Sequence, residues 1–381
     1  MNSSHFETII IGAGPAGLIA GKHLKEALLL DKKKEIGKPV QCGEGISLKA
    51  LERENLKPDP SWVSGKIYKM ERITPNGKAM GKRSENPKGY IIDRSEFEKF
   101  LFKSCSCEIK PGAKVTSLNK TEDGWEVRTE DNQVFTSEYL IGADGPFSLV
   151  RQKIFPENQK NLDHFCGIEY LLELEKELDT EVAKFYLDNE LYKNGYAWIF
   201  PKGKNLANIG VGGDRVKWAD FEKFLQTKVR PKYGEYKFRE NRSGSVPSGG
   251  FRGSLEKDGA MLVGDAAGLA DPIFDGGMTQ AMQSARIAAE CILKKEVGSY
   301  EEKIKAQVFA SADLLQAKKA FYSLDNQTLN ALGDILNNKS SSYLKSLPGI
   351  MKFFLNKDLR RNRSRLFRFF SVWAKAKDSL W

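Results

Sequence analysis

The sequence lacks a long apolar run. No stretch of its 381 residues approaches the roughly 20 consecutive apolar residues that a membrane-spanning helix needs, so we expect no helix that crosses a bilayer. The N-terminus also lacks a basic region followed by an apolar run and a cleavage site, and we expect no secretion signal. Cysteine is scarce, with five scattered residues, which favours reduced thiols and a cytoplasmic location.

Clusters of metal-ligating residues are lacking too. There are three histidines, and no second cysteine or histidine cluster accompanies Cys105 and Cys107, so we expect no metal site. The net charge is +10, but no nucleic-acid-binding motif goes with it, and we expect no nucleic-acid partner.

Positive charge is concentrated near the C-terminus. Residues 351–381 hold nine Lys or Arg against two Asp, interleaved with leucine and aromatic residues. Leu359, Leu366, Phe370 and Trp373 fall at near-helical spacing. Such a helix could lie on an anionic membrane surface. Equally, its apolar side could pack on the protein body and leave the charge on a solvated face.

A glycine-rich motif, GAGPAG at 12–17, lies between a predicted buried strand at 6–11 and a predicted helix through about Glu26, with a second predicted strand at 27–31. Gly12 permits a tight turn, Gly14 lets the backbone approach a pyrophosphate, and Gly17 lets helix and strand pack closely. The helix N-terminus offers its N–H groups to phosphates. Asp31, 19 residues after Gly12, can accept hydrogen bonds from a ribose. The motif therefore predicts dinucleotide binding.

Two further Gly-Asp motifs follow. GADGPFSLVR at 142–151 comes after a predicted parallel strand, and VGDAAGLADPIFDGGM at 263–278 leads into a long helix starting near Gly277. Between them, 155–250 is rich in strand-like alternation and predicts a separate sheet. We see no second dinucleotide motif.

The three motifs in this order resemble the FAD-dependent oxidoreductases built like p-hydroxybenzoate hydroxylase. Two more motifs, QCGEGIS at 41–47 and GYAWIFPKG at 195–203, resemble the geranylgeranyl reductase family, whose members saturate isoprenoid double bonds. The aromatic signature of that family is matched at Tyr196, Trp198, Phe200 and Pro201. Lys193 stands where the family has its first proline.

The resemblance implies an α/β (α+β) fold with three parts. A Rossmann-like FAD-binding domain would span 1–154 and 251–300, with a small insertion near 56–90. A β-sheet substrate domain would span 155–250, and a basic helical C-terminal segment would span 301–381.

The resemblance also implies which residues surround FAD. Asp265 resembles the aspartate at the ribityl or pyrophosphate region. Gly276, Gly277 and Met278 begin a helix whose positive end would face the pyrimidine edge of the flavin. Arg94 matches an R-x-x-F motif of the superfamily. The expected cofactor-binding residues are Gly12, Gly14, Ala16, Gly17, Asp31, Cys42, Gly43, Gly45, Arg94, Val115, Asp144, Asp265, Gly276, Gly277 and Met278, with Gly145 beside Asp144.

Cys42 is the expected catalytic residue, since a cysteine in this loop sits by the flavin in the reductases. Its thiol could relay a proton or only fill space, and no other general acid is assigned. If 195–203 is a strand, Tyr196, Trp198 and Phe200 leave on one face. The resemblance makes them the wall of an isoprenoid cavity, and the alternative is ordinary core packing.

The expected activity is reduction of C=C bonds in an isoprenoid chain, carried by a lipid, quinone or related prenyl substrate, by hydride transfer from reduced FAD. NAD(P)H or ferredoxin would supply the electrons. We expect the protein in the cytoplasm or at the inner face of the membrane. One alternative is a flavin-dependent monooxygenase that hydroxylates an aromatic or polyketide substrate. Another is a flavin- or lipid-binding protein without turnover.

Overall fold

The computed structural model describes residues 4–159, 162–250 and 253–376. The strands are, in chain order, β1 (Ser4–Ile11), β2 (Ala27–Asp31), β3 (Gly45–Ser47), β4 (Val63–Ile67), β5 (Lys69–Ile73), β6 (Ala79–Met80), β7 (Gly89–Ile92), β8 (Glu108–Pro111), β9 (Val115–Lys120), β10 (Trp125–Thr129), β11 (Val134–Gly142), β12 (His164–Leu174), β13 (Val182–Tyr186), β14 (Tyr196–Pro201), β15 (Leu206–Gly213), β16 (Tyr236–Pro247), β17 (Glu256–Lys257) and β18 (Ala260–Leu262).

The α-helices are, in the same order, α1 (Pro15–His23), α2 (Leu48–Arg53), α3 (Arg94–Lys103), α4 (Leu149–Ile154), α5 (Trp218–Phe224), α6 (Arg230–Tyr233), α7 (Met278–Leu293), α8 (Tyr300–Lys305), α9 (Ala312–Tyr322), α10 (Asn326–Leu336), α11 (Leu347–Leu355), α12 (Lys357–Arg361) and α13 (Arg363–Ala376). The mixed content confirms the expected α/β (α+β) class. None of the described helices is both long and apolar enough to span a membrane.

The chain divides into two compact units, of which unit 1 comprises Met1–Val40, Arg94–His164 and Val246–Ser311. Its sheet has the order β17-β18-β11-β1-β2-β8, and β10 pairs with β11 and β9. The four central pairings, β18 to β11, β11 to β1, β1 to β2 and β2 to β8, are parallel. Helix α1 packs against α7 and α3. This is a Rossmann-like arrangement of parallel strands and packed helices.

Unit 1 begins as the sequence predicts, with one difference. Strands β1 and β2 contain the predicted strands at 6–11 and 27–31. Helix α1, however, ends at His23 rather than near Glu26, because the chain must turn before it enters β2 at Ala27. The consequence of the parallel order is that motifs following β1, β2, β11 and β18 all lie at the carboxyl edge of one sheet, where such sheets bind ligands.

Unit 2 comprises Gln41–Asp93, Phe165–Ser245 and Ala312–Trp381. Its larger sheet has the order β16-β12-β15-β14-β13-β5-β6, and β3, β7 and β4 form a smaller sheet. Strands β12, β15, β14 and β13 pair antiparallel in turn, whereas β13 pairs parallel with β5.

A hydrophobic core covers one face of the larger sheet. Ala197 and Ile199 of β14 belong to a buried cluster that includes Phe221 and Phe224 of α5. Since side chains alternate along a strand, the intervening residues of β14 point to the opposite face. That second face carries the site described below, and we call it the ring face.

Unit 2 takes in segments that the sequence assigned elsewhere. The 56–90 region contributes β5, which pairs with β13, and Met80 of β6 forms a bridge with Asn337. These pairings place the insertion predicted near 56–90, and part of the predicted C-terminal segment, in the same unit as the β-rich stretch.

The C-terminal helices pack within unit 2. Leu359 and Leu366 are buried, and the ring of Phe369 stacks on that of Phe321 with centroids 4.6 Å apart. The guanidinium of Arg72 lies 5.3 Å from the ring centroid of Trp373. The apolar side found at 359–373 in the sequence is therefore turned toward the protein, with Phe369 rather than Phe370 as its most buried ring. Residues 377–381 lie outside the described part of the chain.

Candidate active site

The glycine turn of unit 1 has the geometry that a dinucleotide needs. Gly12 has a φ of +104°, and a Cβ there would overlap the carbonyl oxygen of Ala143. A Cβ on Gly17 would overlap the carbonyl oxygen of Gly12. Gly14, by contrast, precedes α1 with open space where its Cβ would be. The turn thus leaves room only at the position expected to face phosphate.

The N-terminus of α1 is open to a ligand. Gly14 is its N-cap and Pro15 its first residue, and no side chain among the described residues caps it. The first N–H groups of a helix lack partners inside the helix and favour an anion.

Asp31 ends β2 and is buried. Its Oδ1 accepts a hydrogen bond from the backbone N–H of Lys33 at 2.6 Å, and its Oδ2 accepts one from that of Ala13. The carboxylate therefore braces the glycine turn. Its expected ribose contact stays a prediction.

Asp265 lies in the turn after β18, where the parallel order puts it at the same edge of the sheet. A Cβ on Gly277 would approach its Oδ1 to 2.9 Å, so a larger residue there would push the Asp265 carboxylate aside. Burial raises the pKa of Asp265 to about 6, and the positive charges of Arg94 and Arg151 oppose that rise. Arg94 also donates from Nε to Oε1 of Glu98 at 2.7 Å.

Arg151 is a residue of this edge that the sequence did not single out. It is buried, and its Nη1 donates to the carbonyl oxygens of Asp265 at 3.1 Å and Ala266 at 2.8 Å. Its Nη2 donates to the carbonyl oxygen of Pro146. Arg151 therefore ties the second motif to the third, and its place inside GADGPFSLVR was the available signal.

Asp144 has a local role. Its Oδ2 accepts from the backbone N–H groups of Leu149 at 2.6 Å and Val150 at 3.3 Å, so it holds the start of α4. Its Oδ1 is buried without a hydrogen-bond partner among the described residues, and burial raises its pKa. Gly145, with a φ of +78°, has open space at its Cβ position. One carboxylate oxygen thus remains for a ligand.

The remaining expected cofactor residues of unit 1 fall into two places. Ala16 is buried in α1, and a Cβ on Gly264 would lie 3.5 Å from its Cβ. Gly276 and Met278 flank Gly277, the N-cap of α7, which no side chain of the described chain caps. Val115 is half-buried at the start of β9, four residues after the parallel strand β8 ends at Pro111, and its expected cofactor contact stays a prediction.

These features together fit a dinucleotide cofactor. Helices α1 and α7 each have a glycine as N-cap. There is open space at the Cβ positions of Gly14 and Gly145. The residues able to hold the phosphates and ribose are thus in place in unit 1.

In unit 2, the QCGEG loop is held on the ring face by Glu44. Oε2 of Glu44 accepts from Nζ of Lys202 at 2.6 Å, Nδ2 of Asn208 at 2.7 Å and Nη1 of Arg242 at 2.8 Å. The Glu44 backbone has a φ of +66°, which costs about 1–3 kcal/mol for a residue with a side chain. The three bonds offset that strain.

Cys42 is positioned by the same loop. Its Sγ accepts a hydrogen bond from the backbone N–H of Glu44 at 3.2 Å, and its side chain is half-buried. Asn208 also donates to the carbonyl oxygen of Gly43 at 3.2 Å, while Gly45 opens β3. A Cβ on Gly43 would lie 3.2 Å from the Phe200 ring. The cysteine loop and the aromatic strand therefore meet.

The three predicted rings are buried on the ring face, away from the helix-covered core. Their centroids lie 5.8 Å apart for Tyr196 and Trp198 and 6.3 Å apart for Trp198 and Phe200. Phe185 of β13 adds a fourth ring, 5.6 Å from Tyr196 and 5.2 Å from Phe200. Together they form a continuous aromatic wall.

A glycine on the neighbouring strand β15 makes room for the indole ring of Trp198. Gly210 of β15 lies between Trp198 and Glu169 in register, and a Cβ there would overlap the indole ring. Because the position is glycine, the indole lies across it and Nε1 donates to Oε2 of Glu169 at 2.7 Å.

Glu169 is the most perturbed acid of the ring face. Burial raises its pKa to about 8, the charge of Glu44 adds to that rise, and Trp198, Arg242 and Lys202 oppose it. Nη1 of Arg242 lies 3.5 Å from Oε1 of Glu169, and neighbouring carboxylates raise the pKa of Arg242. A carboxyl with a raised pKa therefore lies beside a buried ion cluster.

The sequence missed this polar cluster, defined as Glu44, Glu169, Lys202, Asn208 and Arg242. A weak signal existed, because Asn208 interrupts an otherwise apolar strand and Glu169 lies within the apolar stretch of β12. Arg242 lies in a run of exposed charged residues on β16, where nothing in the sequence marks it as buried.

Known proteins share both units. The geranylgeranyl reductase catalytic domain family matches residues 163–243. A geranylgeranyl bacteriochlorophyll reductase-like protein from Thermoplasma acidophilum superposes with a TM-score of 0.80 at 24% identity, covering 100% of both chains. The halogenase PltM, solved with phloroglucinol and FAD, superposes with a TM-score of 0.64 at 14% identity, covering 99% of this chain and 97% of its own. These superpositions show that the chain shares its fold with the reductase-like protein and with the halogenase.

Sequence similarity narrows the assignment from a shared fold to a family. A digeranylgeranylglycerophospholipid reductase from Methanosarcina acetivorans is 32% identical over 372 residues, which cover 87% of this chain and 88% of the relative. The chain belongs to the geranylgeranyl reductase family, as the motifs QCGEGIS and GYAWIFPKG predict, and it is an oxidoreductase.

Proposed function

We propose that this protein binds FAD and reduces C=C bonds in the geranylgeranyl chains of a glycerophospholipid. The observation that carries the proposal is the meeting of the QCGEG loop with the aromatic wall on the ring face of unit 2. Relatives named as digeranylgeranylglycerophospholipid reductases supply the substrate class.

The residues of unit 1 would hold the cofactor. The N-terminus of α1 at Gly14 binds the pyrophosphate, Asp31 supports the turn beside the ribose, and Asp265 with the N-terminus of α7 holds the remainder. When bound and reduced, FAD supplies a hydride equivalent. Arg94 and Arg151 keep the charge of Asp265 balanced.

The residues of unit 2 would hold the lipid chain. Tyr196, Trp198, Phe200 and Phe185 give an apolar surface that excludes water and orients an isoprenoid. Cys42 lies on the loop that meets this wall, which supports its expected role at the reacting bond. Relatives named as reductases favour this activity over the monooxygenase alternative.

The test is an anaerobic assay of the FAD-loaded protein with digeranylgeranylglycerophospholipid and dithionite. We expect the lipid to gain the mass of one hydrogen molecule for each saturated bond. Trp198→Ala should lose most of the activity, whereas Trp218→Ala, which changes an exposed tryptophan, should retain it. No mass gain in this assay, together with substrate-stimulated oxygen consumption in a parallel assay in air with NAD(P)H, would refute the proposal.

We also propose that the protein docks on an anionic bilayer through α11. The apolar residues Leu347, Ile350, Met351, Phe354 and Leu355 lie at helical spacing on one side of it, and all five are exposed. We call this set the α11 stripe. On the other side Gly349 is buried, where a Cβ would overlap the Tyr343 carbonyl oxygen. The helix thus turns its apolar side outward.

Charge supports a membrane as the occupant of the α11 stripe. The stripe has four cations near it in the sequence, all exposed: Lys345, Lys352, Lys357 and Arg360. Each Lys or Arg near an anionic surface contributes about 1 kcal/mol, and an apolar helix face enters the headgroup boundary. A lipid substrate would be reached from such a position.

Vesicle binding tests this docking. Fully burying a leucine-sized side chain contributes about 1.5–3 kcal/mol, and a partly inserted one contributes less. The double variant Met351→Gln with Leu355→Gln should lose about 1 kcal/mol at each position, which weakens binding roughly 30-fold. Leu293→Gln, at an equally exposed leucine of α7, is the matched control. Equal binding of the double variant and the control to phosphatidylglycerol vesicles would refute docking through α11.

A further inference from the structure

The carboxyl of Glu169 is placed differently from the other acids of unit 2. It is buried on the ring face, with Oε2 accepting the indole N–H of Trp198 at 2.7 Å. Its Oε1 makes no hydrogen bond within the described residues. One oxygen thus contacts the aromatic wall, and the other lies 3.5 Å from Nη1 of Arg242 without a hydrogen bond.

The groups that face Glu169 come from four parts of unit 2. Trp198 faces it from β14, Lys202 from the residue after β14, Arg242 from β16, and Glu44 from the QCGEG loop. Lys202 and Arg242 both bond to Glu44, and Arg242 also pairs with Glu240 at 2.8 Å. Nη1 of Arg242 also lies 3.5 Å from Oε1 of Glu169, but both cations make shorter contacts with other carboxylates. Burial therefore outweighs their pull on Glu169 and favours its protonated form near neutral pH.

We propose that Glu169 is the proton donor of the reduction, an inference that rests on the proposed function. One carbon of the C=C bond receives the hydride equivalent of the reduced cofactor, and the other carbon receives the carboxyl proton of Glu169. The O–H bond of the carboxyl breaks as the second C–H bond forms. The indole N–H of Trp198 and the guanidinium of Arg242 then stabilise the carboxylate, which water reprotonates before the next turnover.

The geometry favours Glu169 over Cys42 for this role. The Cys42 thiol is half-buried and already accepts a hydrogen bond from its own loop. The Glu169 carboxyl is bonded to the central ring of the wall that would hold the isoprenoid. Replacing each residue in turn distinguishes the two assignments, because the variant that loses lipid saturation identifies the proton donor.

The decisive variant is Glu169→Gln, which keeps the volume and an oxygen for the Trp198 N–H but has no transferable proton. Loss of a general acid lowers a rate by about 10²- to 10⁴-fold, and we expect that loss in lipid saturation. Lipid binding, FAD content and flavin reduction by dithionite should stay unchanged. Glu173→Gln, on the same strand and paired with Arg239 at the surface, is the matched control and should stay within threefold of wild type.

A second measurement needs no turnover. The infrared carboxyl band of a protonated acid should be present in the FAD-free wild type at neutral pH, fade as pH rises through about 8, and be missing in Glu169→Gln. Saturation by the wild type should fall across the same pH range, and Glu169→Asp should restore part of both signals.

The outcomes separate the two proposals. If the wild type saturates lipid while Glu169→Gln keeps its rate and pH profile, the proton donor is not Glu169, although the proposed function stands. Loss of saturation in Cys42→Ser with full activity in Glu169→Gln would assign the proton to the thiol and overturn this inference. Lack of the Glu169 infrared band would overturn it as well. A wild type that saturates no lipid would refute the proposed function and this inference with it.

Discussion

Replacing Glu44 tests whether the QCGEG loop depends on a buried carboxylate. The side chain of Glu44 is 1% exposed, those of its partners Lys202 and Arg242 are 8% and 6% exposed, and both pairs are shorter than 3 Å. Removing one partner of a buried pair costs about 3–5 kcal/mol, because the other charge stays buried without compensation. Arg242 keeps Glu240, so we expect Glu44→Ala to lose about 3 kcal/mol, near the lower limit.

Two companion variants separate the causes of that loss. Glu44→Gln keeps the volume and a weaker acceptor, so it should lose less than Glu44→Ala. Glu44→Gly removes the side chain at a backbone φ of +66°, where glycine relieves about 1–2 kcal/mol of strain. We therefore expect glycine to be less destabilising than alanine at this position, the reverse of the usual order.

The assay is urea unfolding of the FAD-free protein, with Glu181→Ala as the control. Glu181 pairs with Arg83, and both side chains are about half exposed, so solvent screening should make this loss small. Alkylation of Cys42, followed by peptide mass spectrometry, should be faster in Glu44→Ala because the loop is released. Equal unfolding free energies for Glu44→Ala and Glu181→Ala, with unchanged alkylation of Cys42, would refute the reasoning.

Two further predictions concern unit 1. Gly17→Ala should destabilise the protein because the added Cβ would overlap the carbonyl oxygen of Gly12. Gly14→Ala should unfold like wild type and bind FAD more weakly. Similar unfolding of the two variants would contradict this prediction. Burial raises the pKa of Asp265 to about 6 from a usual value near 3.9. Its contribution to stability is thus full below pH ~4 and is lost as pH rises through about 6, on the order of 2–3 kcal/mol. The measurement is the unfolding free energy of the FAD-free protein as a function of pH. The decrease between pH ~4 and ~6 should be absent in Asp265→Asn. An identical decrease in the variant would exclude Asp265 as its source.

The glycine positions show how far the sequence could predict the fold. Gly12, Gly14 and Gly17 have distinct backbone requirements, and local spacing alone predicts them because the motif spans one turn. The alternation of Tyr196, Trp198 and Phe200 likewise predicts a shared face. These signals are local, since each depends on residues within a few positions of one another.

The polar cluster could not be predicted in this way because its members come from distant parts of the chain. Glu44 and Arg242 are 198 positions apart, and only the pairing of β12, β15 and β14 brings Glu169 and Trp198 into line. The same holds for the C-terminal helices. The spacing of Leu359, Leu366 and Trp373 indicates an apolar side, but only contacts with residues such as Arg72 decide that it faces the protein.

The polar cluster also explains why an aromatic wall can carry an ionisable group at all. A carboxyl buried among rings alone would be expensive to ionise, and its proton would then be difficult to give up. Arg242 and Lys202 lie close enough to lower the pKa of Glu169, yet Glu44 limits their effect. If that balance sets the acidity, Glu240→Gln should lower the pH at which the Glu169 infrared band fades, because Arg242 would lose a competing carboxylate. An unchanged or higher midpoint would show that Glu240 does not restrain the effect of Arg242 on Glu169.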